Sequence, residues 1–352
     1  MIGHADGFDR FGAAADLDVM YTRGSTLFST TAGIAGGGAV TLNTFSSVRV
    51  TSTATWGALS SGGVARCVFW VKPGTWFGST SRLFNIGTNV VDQNNANAPY
   101  IGIGSDGSLH VTKHGEAVTV ATSATGLAPV GEYRHIQYEA RYAEAAGGGY
   151  IKLWVDKVLV IDFTGDTLTG TQPTALAGWK FQSDNNGIQG FDDPVLWDDS
   201  DTTGLEFTGA MSELHQIEEL TTTADDVIQF DSNLSSLNED AIDDPVFHDG
   251  DTSYNQSTAA GQSDVFALAD QAAVPIQTYA IGVVTTAKKS DVGGVILRNR
   301  LEFGSSRAEG SLKTLTSTYG RYSDWWGKNP SSLQPWGVTD VNNVFPGYEH
   351  QA

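Results

Sequence analysis

The clearest pattern in the chain is a strict alternation of apolar and polar residues over residues 135–142. Ile136, Tyr138, Ala140 and Tyr142 fall on one face of an extended strand, and the polar residues between them fall on the other. A period of two is typical of an antiparallel strand with one buried face. The segment is therefore predicted to be a half-buried β-strand.

Turn signals divide the neighbouring sequence into hairpins. Asp106 and Gly107 separate two apolar runs at 100–104 and 109–112, and this dipeptide is a strong signal for a two-residue hairpin turn. Residues 150–161 have the same organisation, with Asp156 and Lys157 at the turn. Residues 191–197 are expected to form a closing strand.

Short strands and turns of this kind recur along the chain, and they predict an all-β fold. We expect an antiparallel jelly-roll sandwich followed by a second β-sandwich domain. Residues 210–220 are the one segment where a helix competes, because Leu214, Ile217 and Leu220 recur at a spacing of three.

The distribution of charge indicates where the two domains meet. Between Lys180 and Lys288 the chain has no Lys or Arg but 21 Asp and Glu residues. An acidic, turn-rich stretch follows the predicted closing strand. We therefore predict a jelly-roll domain with an N-terminal arm over residues 1–204 and a second β-sandwich over residues 205–352.

The overall composition excludes several classes of function. The net charge of −20 disfavours binding to nucleic acid or to anionic lipid. No apolar run approaches the ~18 residues of a membrane-spanning helix, and the first residues are not expected to be a secretory signal. Cys67 is the only cysteine, so an internal disulfide is excluded and this thiol is expected to be buried.

Catalytic motifs are not apparent. A jelly roll that hydrolyses glycosides needs paired carboxylates, and no strand carries the spacing Glu-x-Asp-x-x-Glu. The acidic segment at 191–194 is interpreted as turn carboxylates. His110 and His114 are the closest histidine pair; they could bind a metal, but solvated strand histidines are the favoured interpretation. No catalytic residue and no resident cofactor is predicted.

Calcium is a possible ligand of the acidic loops. The segment from Asp199 through Asp201 and Thr203 to Gly204 resembles the opening of an EF-hand loop, but Ala210 stands where the bidentate Glu belongs. A calcium site of another type remains open at Asp198, Asp199 and Asp201, or at Asp249 and Asp251. The alternative is that these loops are simply solvated.

Trp76 and Phe77 lie together in a glycine-rich turn. Aromatic rings in loops can stack on sugars, so this pair is a candidate contact for a glycan. The alternatives are that the rings fill the core or an interface with another subunit.

The order of several short motifs resembles that of structural proteins in the virions of tailed bacteriophages. The opening residues 6–12 (DGFDRFG) are similar to the start of many such proteins, and the segments GSL, EYRHI and KLWVD between residues 107 and 156 resemble a laminin-G or concanavalin A-like jelly roll. In the C-terminal part the matching segments are DGDTSY at 249–254, DVFAL at 264–268 and AKKSD at 287–291. The pattern continues with Tyr319, Tyr322, Trp326, Asn329, Pro330, Trp336 and the segment DVN at 340–342. The chain departs from it at residues 344–348, which puts the last strand in doubt.

The resemblance implies a structural protein of the virion rather than an enzyme. We expect a fibre or tip component of the tail or baseplate, assembled in the host cytoplasm with other virion proteins as a homotrimer, whose jelly roll can adhere to a host-surface glycan. A decoration protein or fibre of the phage head is the alternative, and a polysaccharide-degrading enzyme is the third interpretation. Neither nucleic-acid binding nor membrane insertion is expected.

Overall fold

The structure is a computed structural model of the whole chain. It describes residues 2–5, 22–23, 26–29, 39–42, 46–58, 63–74, 81–87, 99–114, 118–143, 148–170, 175–183, 188–199, 211, 214–234, 237–242, 250–271, 275, 277–290 and 292–351. The chain divides into two compact units. The first comprises Met1–Asp201 and Thr208–Ile217, and the second comprises Thr202–Phe207 and Glu218–Ala352. The short segment Thr208–Ile217 thus groups with the first unit, whereas the sequence analysis assigned it to the second domain.

The described ranges of the first unit contain fifteen strands. They are β1 (Ile2–Ala5), β2 (Thr22–Arg23), β3 (Thr26–Ser29), β4 (Ala39–Leu42), β5 (Ser46–Ala58), β6 (Ala65–Pro73), β7 (Ser81–Gly87), β8 (Tyr100–Ile103), β9 (Leu109–Thr112), β10 (Thr119–Thr122), β11 (Arg134–Arg141), β12 (Tyr150–Val155), β13 (Val158–Thr164), β14 (Ala175–Ser183) and β15 (Ile188–Asp198).

These strands form two antiparallel sheets. The eight-stranded sheet has the order β13-β12-β11-β6-β15-β4-β3, with β1 also paired to β15. The seven-stranded sheet has the order β10-β9-β8-β7-β14-β5-β2. Both sheets combine consecutive strands with long-range pairs such as β6–β15 and β7–β14, as in a jelly roll. The predicted all-β sandwich is confirmed.

Four phenylalanines form the centre of the sandwich. Phe69 and Phe191 come from the eight-stranded sheet, and Phe84 and Phe181 come from the seven-stranded sheet; all four are fully buried. The ring centroids of Phe181 and Phe191 are 4.0 Å apart, and those of Phe69 and Phe84 are 4.9 Å apart. The face of each sheet that carries these rings is called its inner face below, and the opposite face is its outer face.

Both predicted hairpins are present. β8 and β9 are joined through a turn in which Gly107 has φ of 74°. β12 and β13 are joined by Asp156 and Lys157, whose φ angles are 48° and 73°. Two consecutive positive φ angles give the backbone a twist that matches the twist of the paired strands. The predicted closing strand is also confirmed, within β15.

Within its described ranges, the second unit contains nine strands and little helix. They are β16 (Thr222–Val227), β17 (Asp231–Ser232), β18 (Asn255–Gln256), β19 (Ser263–Leu268), β20 (Ile281–Ala287), β21 (Ile296–Phe303), β22 (Ser306–Thr314), β23 (Gly320–Trp326) and β24 (Phe345–His350). A single α-helical turn, α1, spans Val338–Val341, and a 3-10 turn spans Glu239–Ala241. A five-stranded sheet has the order β16-β19-β24-β21-β22, while β17 pairs with β18 and β20 with β23.

The β20–β23 ribbon packs on the five-stranded sheet. Val283 and Trp326 of the ribbon share a buried apolar cluster with Leu301 of β21 and with Trp336. The Trp336 indole donates to the Trp326 carbonyl oxygen at 2.6 Å. Asn299, fully buried on β21, accepts a hydrogen bond from the Thr285 hydroxyl at 2.7 Å. The second unit is therefore also a layered β-structure.

The doubt about the last strand was wrong. β24 includes Pro346 and Gly347, yet it lies inside the five-stranded sheet between β19 and β21. A Cβ on Gly347 would lie 2.3 Å from the Asp264 carbonyl oxygen, so the glycine allows the two strands to approach. The strand persists because its partners on both sides supply the pairing.

Where described, residues 210–220 contain no helix. None of the helices that the described ranges contain has the length and apolar character needed to span a membrane.

Candidate functional site

The outer face of the seven-stranded sheet brings together polar side chains from four strands. The strand register aligns Lys180 with Asn85 and Asn85 with Tyr100. Two residues further along β8, Gly102 stands opposite Arg82 on one side and opposite His110 on the other. Residues directly opposite each other in an antiparallel sheet point to the same side. Lys180, Asn85, Tyr100, Arg82, Gly102 and His110 therefore share one surface, called the Tyr100 face below.

Tyr100 is the aromatic centre of this face. The Arg82 guanidinium carbon lies 5.0 Å from the centroid of the Tyr100 ring, in a cation–π arrangement. On the other side, the His110 and Tyr100 ring centroids are 5.9 Å apart, with the rings at 87°. Tyr100 and Arg82 are half-buried, whereas His110 is buried. The result is a fixed aromatic ring flanked by a cation and an imidazole.

Gly102 is necessary for this arrangement. A Cβ at Gly102 would lie 2.0 Å from the His110 Nε2 atom, which is far closer than any real contact. With glycine at this position, the imidazole lies across the backbone of β8 instead of pointing into solvent. The sequence segment YIGI of β8 thus positions the side chain of its neighbour β9.

Two buried polar atoms lie on the Tyr100 face. The Asn85 Oδ1 and His110 Nε2 atoms are buried and have no hydrogen-bond partner among the described residues. Burial lowers the pKa of His110 to about 4, so the imidazole is neutral at neutral pH and its Nε2 atom either donates or accepts according to the tautomer. Buried polar atoms normally have partners, so these two mark a place where a hydrogen-bonding group of a ligand or water would be favourable.

The strands under the Tyr100 face contain no acidic residue. The seven strands of this sheet carry four basic residues, Arg23, Arg49, Arg82 and Lys180, and no Asp or Glu. The strands of the eight-stranded sheet carry five of each sign. In a chain of net charge −20, the strands of this sheet therefore differ in composition from the rest of the chain.

The outer face of the eight-stranded sheet is organised differently. Here the Arg66 guanidinium contacts Glu139 at 2.7 Å and also Asp199. Lys152 stands opposite Glu139 in the register, and its ammonium nitrogen lies 5.7 Å from the centroid of the Tyr150 ring. This face therefore combines cations with carboxylates.

His215 lies against the same outer face. Its backbone oxygen accepts a hydrogen bond from the Trp70 indole at 2.8 Å. Its Nδ1 atom lies 2.7 Å from His135 Nε2, and its Nε2 atom lies 2.5 Å from the Asp193 carbonyl oxygen. A carbonyl only accepts, so His215 is protonated on Nε2 and His135 donates its own Nε2 proton to His215 Nδ1.

Burial changes the titration of this histidine pair. Desolvation lowers the pKa of His135 to about 3, with the nearby His215 as a second cause, and lowers the pKa of His215 to about 4. Both imidazoles are neutral near neutral pH and act as hydrogen-bonding core residues. The prediction that residues 135–142 form a strand is confirmed, but its polar face is not solvated at this end, where His135 and Gln137 are buried.

The histidines expected to be solvated are also buried. His110 is 5% exposed and His114 is 8% exposed. For His110 the reason is the space left by Gly102. For His114 the reason is that its backbone bonds to Thr167 and Thr169 and its ring lies 5.8 Å from that of Tyr142. The interpretation as solvated strand histidines was wrong, and the two residues do not form a metal site with other described side chains.

The predicted calcium ligands are only partly described. Asp201 and Asp249 lie outside the described residues. Asp198 is buried, and Asp199 pairs with Arg66. Asp251 pairs with Lys288 at 2.5 Å and accepts a hydrogen bond from the Tyr319 hydroxyl at 2.9 Å. Within the described ranges no three His, Cys, Asp or Glu side chains could hold a metal ion together, and calcium binding stays a prediction.

Trp76 and Phe77, the predicted glycan contacts, lie outside the described residues. Cys67 is buried as predicted, and its burial raises the pKa of the thiol. The sequence analysis missed Tyr100, Arg82 and Asn85, and it considered His110 only as a possible metal ligand. The absence of acidic residues from seven separate strands was readable in the sequence, but only the sheet order shows that those strands are neighbours.

Comparison with known proteins gives distant structural similarity only. No family model matches the chain, and no curated protein matches it. Among solved structures, the cellulose-induced protein Cip1 is 14% identical, with a TM-score of 0.37 over 55% of this chain and 96% of that one. An endo-β-1,4-glucuronan lyase from the fungus Trichoderma reesei is 11% identical, with a TM-score of 0.36 over 56% and 94%. Trypanosoma rangeli sialidase is 10% identical, with a TM-score of 0.33 over 45% of this chain and 25% of the sialidase. Two of these three are enzymes by name, and the function of the present chain is inferred from its own residues.

Proposed function

We propose that this chain is a structural protein of a tailed-bacteriophage virion, a fibre or tip component of the tail, whose first unit binds a saccharide of the host surface on the Tyr100 face. The observation that carries the binding function is the grouping of an aromatic ring, a guanidinium and two buried polar atoms without a described partner on one sheet surface. Sugar-binding sites combine an aromatic platform with a few well-placed polar groups in this way.

The virion part of the proposal is supported by the motifs of the second unit. DGDTSY, AKKSD and the segment from Tyr319 onwards are far apart in sequence. Lys288 contacts Asp251, its ammonium nitrogen lies 4.5 Å from the centroid of the Tyr319 ring, and the Tyr319 hydroxyl donates to the Gly250 carbonyl oxygen at 2.7 Å. The segments that carry the resemblance therefore hold one part of the fold together, as expected of an inherited structural framework.

A binding assay on host envelopes tests the saccharide function. Purified protein is incubated with polysaccharide extracted from host cells, and binding is compared between the unchanged chain and Tyr100→Ala. Tyr150→Ala is the matched control, because Tyr150 is a half-buried tyrosine on the eight-stranded sheet with a lysine ammonium 5.7 Å from its ring centroid. We expect Tyr100→Ala alone to lose binding. Equal binding by all three proteins would contradict the proposed surface.

Labelled antibodies on virions in electron micrographs test the location. Label at the tail supports the proposal, whereas label on the head identifies the protein as a head fibre or decoration protein. Light scattering of the purified protein tests the expected trimer. Release of reducing sugar or of unsaturated product from the extracted polysaccharide would contradict a purely adhesive role and would indicate a polysaccharide-degrading enzyme.

A further inference from the structure

We infer that Trp325 is the platform of a separate saccharide-binding site in the second unit, on the face of the β20–β23 ribbon that is turned away from the five-stranded sheet. The ligand is a pyranose ring, which stacks its apolar face on the indole and directs an oxygen towards the indole N–H group. The site goes beyond the Tyr100 face, because it belongs to the other compact unit and uses none of the residues of that face.

Side chains alternate between the two faces of the ribbon. Val283 and Trp326 enter the buried apolar cluster that the ribbon shares with the five-stranded sheet. Residues one position away on each strand therefore belong to the opposite face. The register places Trp325 directly opposite Gly282 on that face. The other residues of this face on the two strands are Val284, Thr286, Arg321 and Ser323.

The Trp325 indole lies flat on the backbone of β20. A Cβ on Gly282 would lie 2.3, 2.4 and 2.7 Å from three consecutive ring atoms of Trp325, Cζ3, Cε3 and Cη2. Since these distances are nearly equal, that position lies over the face of the ring rather than beyond its edge. Trp325 is half-buried. With one face of the ring supported by glycine, the opposite face is the one that a ligand can cover.

The indole N–H group of Trp325 lacks an acceptor. The Trp325 Nε1 atom is buried and has no hydrogen-bond partner among the described residues. An indole nitrogen only donates, and buried donors are normally paired. The indoles of Trp70 and Trp336 follow this rule, since each donates to a backbone carbonyl oxygen. A ligand oxygen beside the Trp325 ring would supply the missing acceptor.

The surroundings of Trp325 favour a sugar over a protein partner. The ring shares its face of the ribbon with the hydroxyls of Thr286 and Ser323 and with the guanidinium of Arg321, all half-buried. The cores of protein interfaces are apolar and depleted in charge. A pyranose has an apolar face and polar edges, so it matches a flat aromatic ring bordered by hydrogen-bonding groups.

Fluorine nuclear magnetic resonance tests the site in the full chain. A site with one ring and few polar groups binds weakly, with a dissociation constant on the order of 1 mM, so it needs a direct probe and does not by itself retain a polysaccharide. The nine tryptophans are replaced by fluorotryptophan labelled next to the indole nitrogen, and Trp325→Phe identifies the resonance of Trp325.

Pyranose rings are compared with an open-chain polyol. The labelled chain is titrated with methyl glycosides of glucose, galactose and N-acetylglucosamine, with oligosaccharides of the host polysaccharide, and with sorbitol. We expect the Trp325 resonance to shift with saturation for at least one pyranose ligand and not for sorbitol. The absence of a shift with every pyranose ligand, or an equal shift with sorbitol, would overturn the inference.

Two glycine variants assign the effect to the ring. Gly282→Ala inserts a methyl group beneath the indole and should weaken pyranose binding by about three- to tenfold. Gly294→Ala is the matched control, because Gly294 is exposed and its added Cβ would meet no atom within 4 Å. Equal binding by the two folded variants would contradict the platform. If Gly282→Ala does not fold, the comparison of pyranose with sorbitol in the unchanged chain decides.

The Tyr100→Ala chain separates this inference from the proposed function. The Trp325 resonance should respond to the same pyranose in Tyr100→Ala as in the unchanged chain. If Trp325 does not respond while the host polysaccharide still binds through Tyr100, the inference is wrong and the proposed function stands. A lower mass of folded Trp325→Ala in light scattering would show that a second copy of the chain covers this face, and would also overturn the inference.

Discussion

The two outer faces of the first unit have similar sequence patterns, but their outward side chains make different contacts. On β11, β8 and β9, polar or small residues alternate with apolar ones, and the apolar residues are buried. On β7, a bulge between Arg82 and Phe84 is needed to bring Arg82 and Asn85 to the same face, because Leu83 and Phe84 are both buried. On the eight-stranded sheet, His135 is buried against His215, and Arg66 pairs with Glu139 and Asp199. On the seven-stranded sheet, the outward residues form the Tyr100 face. Alternation and bulges thus determine which residues share a face, and more distant residues determine what that face does.

Acid should destabilise the protein through its buried histidines. Folding lowers the pKa of His135, His215 and His110 below the ordinary value of 6.5, so the unfolded chain binds more protons in this range. Stability is fully present above pH 6.5 and is lost as the pH falls towards the folded pKa values of about 3 to 4. We expect a loss of about 2 kcal/mol per histidine between about pH 7 and about pH 5, measured by urea unfolding.

The variant His215→Gln measures how much the histidines of the eight-stranded sheet contribute to the pH dependence of the free energy of unfolding. It removes one titrating group and the charge–charge coupling to His135, so the slope of unfolding free energy against pH should become shallower. Carboxylates are largely ionised in this window and change little. An unchanged slope would show that the two histidines are not buried together.

Two glycines provide a matched test of the two sheets. A Cβ at Gly102 would lie 2.0 Å from His110 Nε2, and a Cβ at Gly190 would lie 2.2 Å from the Tyr133 hydroxyl oxygen. Each substitution by alanine forces a ring out of place, and we expect each to cost about 1–3 kcal/mol in thermal or urea unfolding. Only Gly102→Ala should also weaken saccharide binding. Loss of binding in Gly190→Ala at temperatures where it is folded would contradict the separation of roles.

The aromatic contact on the Tyr100 face should be worth about tenfold in affinity, or about 1.4 kcal/mol. Tyr100→Ala should show this loss in titration with an oligosaccharide of the host polysaccharide, whereas Tyr100→Phe, which keeps the ring, should lose much less. A full loss in Tyr100→Phe would mean that the hydroxyl, rather than the ring, makes the contact.

The smallest effect is expected at the rim of the eight-stranded sheet. Asp199 is partly exposed and shares Arg66 with Glu139, so Asp199→Asn should cost no more than about 1 kcal/mol. The positive charge of Arg66 disfavours binding of a cation at Asp199. We therefore expect Asp199→Asn to leave the response of the melting temperature to millimolar Ca²⁺ unchanged. A rise in melting temperature with Ca²⁺ that Asp199→Asn abolishes would instead establish the calcium site at this loop.

Local signals in the sequence predicted much of the fold and little of the site. The hairpin at Asp106 and Gly107 and the alternation of β11 depend on neighbours in sequence, so they could be read directly. The burial of His110 depends on a glycine in another strand, and that of His135 depends on His215, 80 residues away. The Tyr100 face requires β14 beside β7, a pairing between residues about 95 positions apart that no local pattern specifies.

The most direct test of the Tyr100 face uses the seven histidines as reporters. Their Cε1–H resonances are recorded by nuclear magnetic resonance, assigned with single His→Gln variants, and followed during titration with the same host oligosaccharide. We predict that the His110 resonance shifts with saturation while those of His135 and His215, buried on the other sheet, stay in place. A titration that moves His135 or His215 and leaves His110 unchanged would contradict the assignment of the binding surface.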